Sequence, residues 1–262
     1  MRYMRILPLV LGLSLVGCIT GEIGSTGGPG GDDVGGDDDG GGSGSGSQTE
    51  TPRLDVSVDK PAITTDLMSS NMVTVTLTGS GGFGGESVTI SASVLDGTSA
   101  PLTAWTTTIS AASVAVPMNG TATSVVTLNI PSQKVALTGT LQIDVTSSLG
   151  TQSMTSAVTA VDQITIPLVV NANNQCVYPA GMTKTTVTAG TKVRFLNDST
   201  LDEPLRIHFA SNAGGMAHAQ VDTAKGQVYE RVAAGTTDGN EWYCHTPGNN
   251  PGNLSIEVLA AP

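Results

Sequence analysis

The chain reads as an all-β protein made of two antiparallel β-sandwich domains. Three observations predict this. Apolar and polar residues alternate over short runs, the period of a half-buried strand. The runs are rich in Val, Thr, Ser and Ile, and clusters of Gly, Ser and Asn separate them at intervals of roughly eight to twelve residues. About 210 of the 262 residues remain once the N-terminal region is set aside, a length that suits two β domains better than one. Each domain is expected to carry its own core.

Residues 1–17 read as a targeting segment: Arg2 and Arg5 supply a positive start, and Leu7 to Val16 a short apolar run. That run is too short to span a bilayer, and no later run approaches the length. Leu15-Val16-Gly17-Cys18 resembles the lipobox of bacterial lipoproteins. The resemblance implies acylation of Cys18, which then becomes the N-terminus and holds the chain to a membrane. Ile19, rather than Asp, follows Cys18, which by the same resemblance implies sorting to the outer membrane, facing the periplasm or the cell surface.

Residues 18–51 carry the acylated Cys and a tether of Gly, Ser and Asp with too few apolar residues to form a core. Glu22, Asp32, Asp33, Asp37, Asp38, Asp39 and Glu50 lie here with no Lys or Arg, and make up most of the net charge of −11. A flexible chain of this length spans on the order of 30 Å. The aspartates lack the regular ligand spacing of a calcium loop and read as a solvated spacer. Such acidity argues against nucleic acid as a partner.

Residues 52–161 form the first predicted sandwich. Leu54, Val56 and Val58 alternate with polar residues, as do Val73, Val75 and Leu77. Val88 and Ile90, Val126, Leu128 and Ile130, and Leu141, Ile143 and Val145 continue the pattern. Trp105, the domain's one tryptophan, is expected between the sheets. Thr76 to Val88, with its Gly-Ser-Gly-Gly-Phe-Gly-Gly turn, and Met118-Asn119-Gly120-Thr121 resemble the immunoglobulin-like repeats of bacterial surface proteins. The domain has no Cys and no His, and reads as a spacer or interaction module.

Residues 162–262 hold all three histidines and the two remaining cysteines. Gln163 to Val170 reads as the first strand. Near the end, Glu241 to His245 reads as a strand, with Trp242 and Cys244 on one face and Tyr243 and His245 on the other. A Pro/Gly/Asn loop follows, then a closing strand with Leu254, Ile256 and Val258 alternating.

A cysteine brought by a strand into such a loop resembles the copper loop of cupredoxins, the blue copper family. Val187-Thr188-Ala189-Gly190-Thr191-Lys192-Val193-Arg194-Phe195-Leu196-Asn197 is similar to the family's hairpin, and Pro204 to Phe209 to the run with its first copper histidine. Gln175 to Pro179 and Gly226 to Tyr229 are further pieces in the family's order. The resemblance implies a Greek-key barrel and copper bound for electron transfer, with a redox partner protein, or for copper handling. The ligand set departs from the family's: Leu205, Pro247 and Asn250 stand where two histidines and a methionine are expected, and Cys244 alone is in place. Ile207-His208 and Cys244-His245 also resemble halves of the histidine motifs of multicopper oxidases, whose cluster needs more histidines than this chain has.

Three readings of the cysteines stay open: a Cys176–Cys244 disulfide, the pairing expected in an oxidising compartment; a free Cys244 thiolate ligand, as the resemblance implies; or both thiolates on one metal. The metal candidates are His208, His218, Cys244 and His245, a set of imidazoles and a thiolate suited to copper or zinc. His208 and His245 are expected to meet if their strands are neighbours. Asp202-Glu203 reads as solvated loop charge. No serine-hydrolase, metalloprotease, phosphate-loop or dinucleotide motif occurs, and the chain is not expected to be an enzyme. Two functions follow as expectations: a lipid-anchored envelope protein binding copper through a degenerate site, or a metal-free structural or adhesive module stapled by the disulfide.

Overall fold

Alternation with period two puts one set of side chains on each face of a strand, and two such strands bury their apolar sets only by stacking sheets. The computed structural model describes residues 50–182, 184–200, 202, 204–209, 222–234, 241–246 and 252–261, with the backbone alone at 208–209, 241–243 and 252–254. The expectations for Cys18, the tether, His218, Pro247 and Asn250 lie outside the described residues. No described helix is long and apolar enough to cross a membrane.

The first sandwich is immunoglobulin-like. One sheet has the order β1 (Arg53–Val58), β3 (Ser69–Ser80), β7 (Thr121–Ile130), β5 (Thr106–Ile109). The facing sheet runs β2 (Ala62–Asp66), β9 (Gly150–Val161), β8 (Thr138–Ser147), β4 (Glu86–Leu95), β6 (Ser113–Val116). Val73, Val75 and Leu77 of β3 and Leu141, Ile143 and Val145 of β8 are fully buried, and the residues between them face outward. Each such side chain contributes about 1.5–3 kcal/mol through burial. Trp105 is buried at the start of β5, as expected. In the glycine-rich turn after β3, Gly84 has φ 140°, and a Cβ there would run into the backbone of Pro117 and Met118. Asn119 Oδ1 accepts from Gly82 N at 2.7 Å, so two turns close on each other at this end.

The second sandwich pairs β11 (Cys176–Val177), β10 (Gln163–Val170), β13 (Lys192–Asn197) and β15 (Val228–Val232) in one sheet. The other has β12 (Thr185–Thr188), β17 (Gly252–Leu259), β16 (Glu241–His245) and β14 (Arg206–Phe209). Ile164, Ile166, Leu168, Val193, Phe195, Val187, Ile256 and Val258 fill the space between them. Phe195 and Tyr229 stand with ring centroids 6.3 Å apart.

Most pairings are antiparallel, but β2 with β9, β10 with β13, and β12 with β17 are parallel. Alternation assigns a residue to a face; it does not say from which side the next strand enters, and a strand arriving by a crossover pairs parallel. Buried side chains from Leu54 to Val258 form one connected cluster. A single residue, Asp162, separates β9 from β10, and Leu67, 1 % exposed, donates its backbone N–H to Gln163 O across the junction.

Candidate functional site

The hairpin β16–β17 pairs Trp242 with Leu254, Tyr243 with Asn253 and Cys244 with Gly252. β14 lies on the other side of β16, with Ile207 opposite Cys244. Cys244 therefore points into the sandwich, where it meets Cys176 of the facing sheet. The two are joined in a disulfide with Cα atoms 5.4 Å apart, and both residues are fully buried. Of the three readings of the cysteines, the structure contains the disulfide. Neither sulfur is then a thiolate, so Cys244 is not a metal ligand in this state, alone or with Cys176.

The strands that carry His208 and His245 are neighbours, and the register sets how the two residues are placed. β14 and β16 are neighbours, but His208 pairs with Tyr243, and Arg206 stands opposite His245. The two histidines are thus offset along the strands rather than opposed. Directly opposed side chains start about 5 Å apart, so the immediate cross-strand neighbour of His245 is a guanidinium. Arg206 Nε lies 2.6 Å from Asp222 Oδ1. Both atoms are out of reach of water and off the axis of a hydrogen bond, so the contact is an ion pair. His245 Nδ1 is 2.8 Å from Thr246 O; with the proton on Nδ1, that nitrogen donates and Nε2 keeps its lone pair.

Leu205 is fully buried, and its backbone bridges Thr223, with Leu205 N to Thr223 O at 2.9 Å and the reverse bond at 2.8 Å. Leu205, where the resemblance expects an imidazole, offers only an apolar side chain, and the sulfur of Cys244 is bound in the disulfide. The residues present do not fit a blue copper centre. Among the described residues no three His, Cys, Asp or Glu side chains gather around one point. Asp202, 94 % exposed, meets Lys225 at 3.1 Å and is solvated loop charge, as expected.

Sequence reasoning missed the polar supports around the disulfide. Tyr178 OH donates to Ser255 O at 2.7 Å and ties the β11 run to β17. Asn197, 1 % exposed, donates from Nδ2 to Thr223 O at 2.9 Å and accepts from Ser199 N at 3.1 Å. Asn197 carried a signal, as the polar end of a strand of buried apolar residues; Asp222 carried none. Burial pushes the Tyr229 hydroxyl above its ordinary pKa, opposed by Arg231, whose guanidinium carbon lies 4.2 Å from the ring centre. Lys184, 2.6 Å from Glu257, holds that carboxyl below the ordinary range.

No protein-family model and no curated protein matches the chain. Solved structures with partial likeness include a family 123 glycoside hydrolase from Clostridium perfringens, at 10% identity over 44% of this chain and 30% of that one, with a TM-score of 0.33. The periplasmic chaperone SfaE is 6% identical, over 79% of this chain and all of its own (100%), with a TM-score of 0.29. The titin Ig tandem A164-A165 is 10% identical over 80% of this chain and 100% of its own, with a TM-score of 0.26. Likeness at this level carries no argument about function.

Proposed function

We propose that the chain is a lipid-anchored envelope protein whose two sandwiches act as a metal-free structural or adhesive module. In this reading the second sandwich keeps a cupredoxin-like frame but uses a disulfide where that family uses a metal. The observation that carries the proposal is the buried Cys176–Cys244 bond, which joins the two sheets and removes the one blue-copper ligand found in place. Disulfides persist in oxidising compartments, which agrees with an envelope location.

A second reading, copper bound through imidazole, draws on His245, whose Nδ1 contact with Thr246 O is the kind of backbone contact that orients a metal-binding imidazole. One experiment separates the two. The Cys18→Ser full-length protein is denatured without reductant, alkylated and weighed, and a native sample is loaded with copper, desalted and assayed for metal. The structural reading expects no alkylated cysteine and no retained copper. Stoichiometric copper, lost in His245→Ala, would replace it with the second reading.

A further inference from the structure

The junction between the sandwiches is gripped on both sheets of the second one. On one side, Asp66 at the end of β2 accepts from Gln163 Nε2 at 2.7 Å and from Thr165 Oγ1 at 3.1 Å. Arg194 Nη1 stands 3.9 Å from the same carboxylate and bonds Glu230 through Nε at 2.8 Å. This clamp holds β10 and β13. On the other side, the β7–β8 connection reaches over to β12. Ser132 Oγ donates to Thr186 O, and Lys134 N donates to Thr188 Oγ1 at 2.8 Å. Between the clamps lies Asp162, the one linking residue. Its carboxylate takes Lys134 Nζ at 2.7 Å and Thr191 Oγ1 at 2.8 Å, and its carbonyl takes Lys192 N at 3.1 Å.

The register places the chain's features along this axis. Arg53 pairs with Ser80, whereas Ser69, at the other end of β3, follows the junction residues Leu67 and Met68. β1 therefore starts, at Arg53, at the end of the first sandwich remote from the junction. In the second sandwich, Gln163 begins β10 at the junction and Val170, at the far end, pairs with Cys176. The disulfide, with Arg206 and His245 beside Cys244, is thus at the tip remote from the first sandwich. Twelve-residue β3 and eight-residue β10 placed end to end span on the order of 60 Å.

We infer that the two sandwiches form one rigid arm, locked by the Asp66 clamp, by the Ser132 and Lys134 contacts with β12 and by the Lys134–Asp162 pair between them, which holds the disulfide-bearing tip at a fixed distance from the start of β1. Bending toward either side opens the clamp on the opposite sheet, and a one-residue link has no slack to absorb the motion. The inference rests on the junction contacts and stands whichever reading of the tip holds. Tethered domains joined by a free linker would instead tumble separately.

The test is backbone 15N relaxation on the Cys18→Ser full-length chain. A single rotational diffusion tensor is expected to fit amides of both sandwiches. Separate tensors in this protein would overturn the inference. In Asp66→Ala/Lys134→Ala, dispersed amide signals should persist in each sandwich while the fit splits into two tensors; a single tensor there would overturn the role of the clamps. If that double variant does not fold, Asp66→Asn and Lys134→Met are measured singly. Each should reduce the agreement of the two sandwiches on one tensor, and unchanged agreement in both would count against the clamps.

Discussion

Cys176 and Cys244 show how a residue's chemistry depends on what stands across from it. They are 68 positions apart in sequence, so the bond closes a long loop and removes entropy from the unfolded chain. On a chain-entropy estimate this is worth about 4 kcal/mol. Replacing both cysteines by Ala should lower unfolding stability by roughly that amount in urea titrations, with the second sandwich melting first. Asp96 offers a prediction in pH. Its Oδ1 accepts from Thr98 Oγ1 at 2.7 Å, Thr98 N at 2.8 Å and Ala100 N at 2.9 Å. These bonds, led by the Thr98 hydroxyl, hold its pKa below the ordinary 3.8. A depressed acid contributes stability that is fully present above its unfolded pKa and is lost as pH falls through the folded one. Asp96→Ala should therefore lower the urea midpoint at pH 7, and the gap to the parent should shrink as pH falls below about 4. Asp96-Gly97-Thr98-Ser99 has the residue types that favour a turn. The acceptor role of Asp96 was not legible, since it depends on the path the backbone takes through Ala100.

At the scale of strands, alternation marked the buried face of β1, β3, β4, β7 and β8, while β2, β5, β6 and β9 were not marked. β8 carries Leu141, Ile143 and Val145 inward, and β9 carries Thr151, Ser153 and Thr155 outward. Ile143→Ala should cost about 2–5 kcal/mol, because it removes contacts in a site that is closed on all sides. Thr155→Ala, on the solvent face, should stay within about 0.5 kcal/mol in the same unfolding assay. Comparable losses at the two positions would show the register of β8 and β9 to be wrong. Turn chemistry acts at this scale too. Gly84→Ala should destabilise the β3–β4 turn, because its φ of 140° and the backbone of Met118 leave no room for a Cβ. Partner strands were less legible. The parallel pairs β2–β9 and β12–β17 join strands 95 and 71 positions apart at their paired residues Ala62–Ala157 and Thr185–Ile256. No local pattern encodes a partner at such a distance.

For the whole molecule, the proposed function and the inferred arm combine into one arrangement: an acyl anchor proposed at Cys18, the Gly/Asp-rich segment that follows it in sequence, and the two sandwiches. Cys18 is the residue proposed to hold the chain to a membrane. Cys18→Ser should move the protein from the membrane fraction to the soluble envelope fraction; unchanged membrane association would remove the lipid anchor from the proposal. The connected core adds a requirement on stability. Because the buried cluster runs through the junction, the two sandwiches should share part of their unfolding cooperativity.

What the sequence determined by itself was the class of the fold and the inward face of its strands, because period-two burial is a local property of the chain. It also supplied the inventory at the tip: a cysteine delivered by a strand, a histidine beside it, and no full set of copper ligands. The tertiary structure decided three things. It placed Cys176 within bonding reach of Cys244, set Arg206 rather than His208 opposite His245, and clamped Asp66 and Lys134 onto the second sandwich. All three are pairings between segments far apart in the chain. Their energies depend on sheet order and register, which arise only when the whole core closes.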